Sequence, residues 1–275
     1  MGPMVISLLL GGTALLLYLG AEAFSIANLR KEKAAFGLVA KALLTLGFAV
    51  HFAALEFGGR LTHTVPYRDL SASMSLFAWM VAGSYCIMRL RHREASTGPF
   101  LLPVAILFLG VSLLTHPAQA PAADPKLSGA LFAFHVTLAI LGYAAFTLSF
   151  VLAQLYLIQV RQLHTRKLGL LFSRLPALDV ISRMHHTSIG IGVVAMTVAS
   201  TLGLIWAKQN WGTYWDPKVA FTFLLIAIYV LCLLAGRFLR WSGKRVALLS
   251  IGGYMLMLFS FTIVNLFITQ EHVFH

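Results

Sequence analysis

Residues 129–160 read GALFAFHVTLAILGYAAFTLSFVLAQLYLIQV. The run contains no Asp, Glu, Lys or Arg, and His135 is its one histidine. About 20 apolar residues suffice for a helix to cross the hydrocarbon core of a bilayer. This stretch is longer, so it is read as a membrane-spanning helix that projects beyond the membrane.

The same reading applied outward finds eight apolar stretches, at 4–23, 34–57, 71–89, 99–115, 129–160, 187–207, 219–237 and 246–269. The fourth is short and flanked by prolines. Composition agrees: the 275 residues are 59% apolar and 11% charged, with a mean hydropathy of +0.83. A soluble domain is about a quarter charged. The fold expected is all-α, a polytopic membrane protein of eight transmembrane helices forming one membrane-embedded domain over 1–275. A soluble enzyme, a disordered chain and a fibrous repeat are excluded.

Charge sets the orientation. The formal net charge is +12, but the cations cluster in short loops between apolar runs, which excludes a nucleic-acid footprint. Loops after spans one, three, five and seven hold fifteen Lys and Arg residues, among them Arg30, Arg89, Arg161 and Lys244. The opposite loops hold five: Arg60, Arg68, Lys126, Lys208 and Lys218. The positive-inside rule then puts both termini on the outer side. No basic residue precedes the first apolar run, so it is not read as a signal peptide. Cys86 and Cys232 form no C-x-x-C pair and are read as small buried residues.

The orientation places loop 208–218 outside. It carries Trp211-Gly212-Thr213-Tyr214-Trp215-Asp216-Pro217-Lys218, and with Trp206 the region holds three of the five tryptophans. Aromatic belts at a membrane boundary are one reading. The other is a rigid aromatic shelf, turned at Gly212 and stiffened at Pro217, with Asp216 and Lys218 at its edge. Such a shelf suits a planar macrocycle with acidic substituents.

Ten histidines accompany this run. Ionisable residues inside a membrane are functional candidates by default, and neutral imidazole is a haem-iron ligand. His135, near the outer end of span five, and His272, just after span eight, are the best placed pair to hold an iron axially. His51 lies in the outer half of span two, and His63 and His116 lie in outer loops. His185 and His186 are adjacent, about 100° apart on a helix, and are read as solvated interfacial positions. Glu22 and Glu56 lie at span ends and with His51 suggest a proton path. No nucleotide-binding, metalloprotease or serine-hydrolase motif is present.

The Trp211–Lys218 run, flanked by outer histidines, resembles the tryptophan-rich WWD signature of haem-handling proteins. The chain resembles the CcsA-type cytochrome c assembly proteins, including the HemX-like branch, whose signature reads approximately W-G-x-Y-W-x-W-D-P-K-E. Gly59–Pro66 with Phe77-Ala78-Trp79, Phe134-His135-Val136 and Val264-Asn265-Leu266 resemble further segments of that family. The resemblance implies that His135 and His272 are axial ligands of a non-covalent haem b. It implies that Trp211, Gly212, Tyr214, Trp215, Asp216 and Lys218 line the haem site. It also implies a bacterial plasma membrane location, a CcsB-type partner, apocytochrome c as a recipient and, with that partner, holocytochrome c synthase (haem lyase) activity. The signature departs from the family: Trp215 passes straight to Asp216, and Val219 stands where the family has Glu. The family's histidine late in span seven is replaced by aliphatic residues around Leu231, and His51 is a substitute candidate. Three functions follow: a haem-presenting protein of cytochrome c maturation, a non-catalytic CcsA/HemX-like subunit of a larger complex, or a proton-linked transporter.

Overall fold

A computed structural model describes residues 3–62, 69–92, 96–115, 129–166, 169–212, 217–239 and 241–260. The described residues form helices α1 (Pro3–Lys31), α2 (Ala34–Thr62), α3 (Leu70–His92), α4 (Gly98–Leu114), α5 (Ala130–Thr165), α6 (Leu170–Arg174), α7 (Leu178–Trp211), α8 (Pro217–Phe238) and α9 (Gly243–Phe259). Each apolar stretch supplies one helix, and α6 is a single added turn between α5 and α7.

Among the described residues, five segments are long and apolar enough to cross a membrane: Val5–Lys31, Ala34–Gly59, Leu70–His92, Ala130–Thr165 and Leu178–Asn210. Gly98–Leu114 and Val219–Ala235 are shorter apolar helices. The protein is therefore a polytopic helical membrane protein. α5 runs to Thr165 and ends where Arg166 turns left-handed at φ 54°. α7 starts nine residues before the apolar stretch at 187, because Ala177 breaks from the helix and Asp179 pairs with Arg183 one turn on, at 2.6 Å.

The chain divides into two compact units. The first comprises Met1–Pro125 with Ser173–Pro176, and the second Lys126–Phe172 with Ala177–His275. In the first, α1 packs along α2, α3 along α4, and α1 also meets α4. Small residues permit close approach, as membrane helices require. A Cβ on Gly47 would lie 2.9 Å from the Tyr18 ring, and one on Gly83 2.9 Å from Phe48. Phe48 stacks on Trp79 at 4.7 Å, while the Trp79 indole N–H donates to the Phe48 carbonyl. Arg174 forms an ion pair with Glu32 in the same unit.

In the second unit α5 packs along α7, and α9 meets both α5 and α8. Gly192 lets Phe146 press on the α7 backbone, and Phe146 stacks on Tyr229 of α8 with centroids 3.8 Å apart. Met196, Leu225, Cys232 and Val246 complete this core. Ser149 and Ser250, both fully buried, bond to each other at 2.9 Å between α5 and α9. Leu16, Leu38, Leu107, Val194 and Leu248 are among many large apolar residues left exposed. Outward apolar surface over an interior of small and polar contacts is the pattern of helices solvated by lipid.

Candidate functional site

The second unit builds a cradle around His135. Phe132 and His135 are one turn apart near the start of α5. On α7, Ala199, Gly203 and Trp206 follow the spacing i, i+4, i+7 and so share one face. His135 Nδ1 stands 2.7 Å from the Ala199 carbonyl oxygen. A carbonyl only accepts, so Nδ1 carries the hydrogen and the lone pair of the neutral ring lies on Nε2. Metal-binding histidines are held in this way, with the second ring nitrogen donating to a backbone carbonyl or carboxylate.

Gly203 completes the cradle. A Cβ there would lie 2.5 Å from His135 Cε1 and 2.6 Å from Nδ1. The imidazole therefore rests against helix backbone that no other residue would leave bare. The Phe132 ring lies 6.2 Å from His135 and 4.8 Å from Trp206, which is 5% exposed. The aromatic pair shields the flank of the imidazole. Ala199, Gly203 and Phe132 do not emerge from sequence reasoning. A backbone carbonyl leaves no mark in sequence, whereas a glycine inside a helix, at a cost of about 1 kcal/mol against alanine, does.

α7 continues through Lys208 to Trp211, so those residues are helical rather than loop. Its end is set by Gly212, left-handed at φ 72°, whose N–H donates to the Lys208 carbonyl at 3.2 Å. α8 begins at Pro217, where the absent N–H is not needed. Lys208 is exposed, beside a shallow groove lined by Thr201, Leu204, Ile205 and Gln209.

Other candidates fall elsewhere. Tyr214, Trp215, Asp216, His63, His116, His272 and His275 lie outside the described residues, as do the side chains of Trp211 and Lys218. His51 belongs to the first unit, and each of its ring nitrogens faces a hydroxyl. His185 is buried at 4% exposure, not solvated, because the earlier start of α7 places it two turns inside the helix. His186 is half-buried, its ring centroid 5.9 Å from that of His185. Glu56, grouped with Glu22 and His51 by sequence, is exposed.

Among the described residues no three His, Cys, Asp or Glu side chains gather to hold a bare metal ion. A haem iron asks less of a protein, because the porphyrin supplies four donors and the chain only axial ones. One imidazole with its tautomer set and aromatic neighbours fits that demand.

Comparison with known proteins adds the lineage. The Cytochrome C assembly protein family matches residues 67–272. Protein HemX of Bacillus subtilis (strain 168) is 25% identical over 241 residues, covering 86% of this chain and 87% of HemX. Cytochrome c biogenesis protein CcsA of Chlamydomonas reinhardtii is 26% identical over 209 residues, covering 73% of this chain and 58% of that protein. The solved structure of cytochrome c heme lyase CcmF shares the fold, with a TM-score of 0.64 at 17% identity. That match covers 93% of this chain and 46% of CcmF, so the chain spans less than half of that protein.

Proposed function

The chain belongs to the cytochrome c assembly protein family, and from that premise we propose that it binds haem and presents it on the outer face of the plasma membrane for cytochrome c maturation. In this reading all eight apolar stretches span the bilayer, both termini lie outside, and His135, His272 and the 208–218 segment share that side. His135 and His272 would hold the iron. Trp211, Gly212, Tyr214, Trp215 and Asp216 would line the haem, and Lys208 and Lys218 would meet its propionates. His51 belongs to the first unit, and His135 to the second.

The observation that carries the reading is the 2.7 Å bond from His135 to the Ala199 carbonyl over Gly203. It holds the imidazole in the ligating tautomer before any iron arrives, so the ordering cost of ligation is already met. Bound haem supplies the vinyl groups to which the thiols of an apocytochrome C-x-x-C-H segment add. The chain's part is to bind the iron, orient the ring, exclude water with Phe132 and Trp206, and offer cations to the acid groups. Synthase activity requires a CcsB-type partner.

Purified protein should show a Soret band and a pyridine haemochrome of b type. A His135→Ala, His272→Ala double variant should lose the band. An unaltered spectrum in that variant would refute the ligand assignment. A second reading, a non-catalytic scaffold or regulatory subunit, is favoured by the shortened signature at Trp215-Asp216. Co-purification with other membrane subunits, without rescue of a strain lacking c-type cytochromes, would select it.

A further inference from the structure

The first unit contains polar groups that the His135 cradle does not include. His51 on α2 is fully buried. Its Nδ1 stands 3.3 Å from the Tyr18 hydroxyl of α1, and its Nε2 3.0 Å from the Ser75 hydroxyl of α3. Three helices therefore meet at one imidazole through hydroxyls, each able to give and to take a hydrogen bond.

The polar groups continue in both directions. On α1, Tyr18, Glu22 and Ser25 follow i, i+4, i+7 and share a face. Glu22 Oε2 and Ser25 Oγ are buried with no hydrogen-bond partner, and Tyr85 Oη of α3 lies beside Thr97 at the start of α4. These hydroxyls converge: a Cβ on Gly98 would lie 2.8 Å from Tyr85 Oη and 2.9 Å from Ser25 Oγ. On α3, Ser71 sits one turn from Ser75. Ser71 and Ser112 of α4 exchange hydroxyl-to-carbonyl bonds at 2.8 Å each way. Asp69 closes that end, its carboxylate accepting from the Ala72 N–H at 2.7 Å.

Helix-to-helix adhesion alone does not call for this arrangement. Polar residues that only join helices satisfy one another, as Ser149 and Ser250 do in the second unit. Buried polar atoms without partners cost about 1–3 kcal/mol each, and an ionisable residue at membrane depth is kept for function.

We propose that Ser25, Glu22, Tyr18, His51, Ser75 and Ser71 form a proton-transfer file through the first unit, from the end bearing Arg30 and Arg89 to the end bearing Asp69. With Tyr18 donating to Nδ1, the hydrogen on Nε2 is donated to Ser75. Transfer moves one proton per link. Tyr18 gives its proton to Nδ1, Nε2 gives its proton to Ser75, and Ser75 passes its own onward. Tyr18 is refilled from Glu22, which takes a proton from the Ser25 end. Tautomer exchange and hydroxyl rotation reset the file. The steps from Ser25 to Glu22, from Glu22 to Tyr18 and from Ser75 to Ser71 are each one helical turn, about 6 Å, a gap of the size one water bridges.

The surrounding charges leave the file clear. α4 brings no titratable side chain. α3 brings Tyr85, Cys86, Arg89, Arg91 and His92; Cys86 lies within electrostatic range of Tyr18, Arg89 is engaged with the Gly37 carbonyl at 2.8 Å, and Arg91 and His92 sit in the last turn of the helix. Lys41 and Glu56 of α2 are exposed.

The test is proton uptake by phosphatidylcholine vesicles containing the purified full-length chain and an internal pH dye, under a potassium–valinomycin potential. Uptake should exceed that of protein-free vesicles and fall at least tenfold in Glu22→Gln and in His51→Gln. Ser149→Ala, in the other unit, should leave it unchanged. Uptake equal to protein-free vesicles, or unchanged in both variants, would overturn the proposal. Should His51→Gln fail to fold, the near-isosteric Glu22→Gln decides. Infrared spectra provide a second reading: a protonated-carboxyl band should vanish in Glu22→Gln, and its persistence there would count against Glu22 as a member. Haem absorbance on the same samples reports the other function independently.

Discussion

Replacing Gly203 with alanine probes the His135 cradle with a single methyl group. The new Cβ would stand 2.5 Å from Cε1 and 2.6 Å from Nδ1. Carbon atoms in contact settle at about 3.5–4.0 Å, so the imidazole must retreat by about 1 Å. Starting from 2.7 Å, its bond to the Ala199 carbonyl then exceeds the useful limit of about 3.2 Å. Losing that bond costs about 0.5–1.5 kcal/mol and the crowding about 1–3 kcal/mol, while alanine in a helix returns about 1 kcal/mol. The net destabilisation is about 0.5–3.5 kcal/mol, which leaves the bundle foldable. The effect on the ligand is sharper. Loss of a group that orients a metal-binding histidine lowers affinity by about 10–100-fold. The assay is haem titration of detergent-purified protein, followed at the Soret band. Gly190→Ala is the control, because a Cβ there meets nothing within 4 Å on the same helix. If Gly203→Ala binds haem with the affinity and spectrum of Gly190→Ala, the cradle is not part of a ligand site.

Further outcomes follow from particular contacts. Ser149→Ala alone leaves the Ser250 hydroxyl buried without its 2.9 Å partner, so it should cost about 1–3 kcal/mol. Adding Ser250→Ala should recover part of that loss in a double-mutant cycle of thermal stability. Gly83→Ala should push Phe48 off Trp79, since the new Cβ would come within 2.9 Å of that ring, and the shift should register in near-UV circular dichroism. Arg174→Ala removes an ion pair whose Glu32 side chain is 67% exposed. It should change the unfolding midpoint little, in keeping with about 0–1 kcal/mol for exposed pairs.

Uncharged runs such as 129–160 were enough to place the long helices, because lipid tolerates only backbone that is internally bonded. The start of α7 at Leu178 was less legible, because its first turns carry Asp179, Arg183 and two histidines in place of an apolar signal. His135 and His51 stood out from sequence for the same reason: each is an ionisable group within an apolar run. Their surroundings did not stand out. Nothing in the composition distinguishes a histidine donating to the Ala199 carbonyl from one between Tyr18 and Ser75.

From its residues alone the chain is an all-helical membrane protein with an indole-rich segment before α8 and a short list of candidate imidazoles. Those properties depend on hydropathy, charge and residue type, which are local. The tertiary structure decided which helix each imidazole faces, that Gly203 opens room for one, and that hydroxyls from α1 and α3 take up both nitrogens of the other. Such outcomes depend on which residues, distant in sequence, packing brings within 3 Å. No run of letters contains that until the helices have chosen their neighbours.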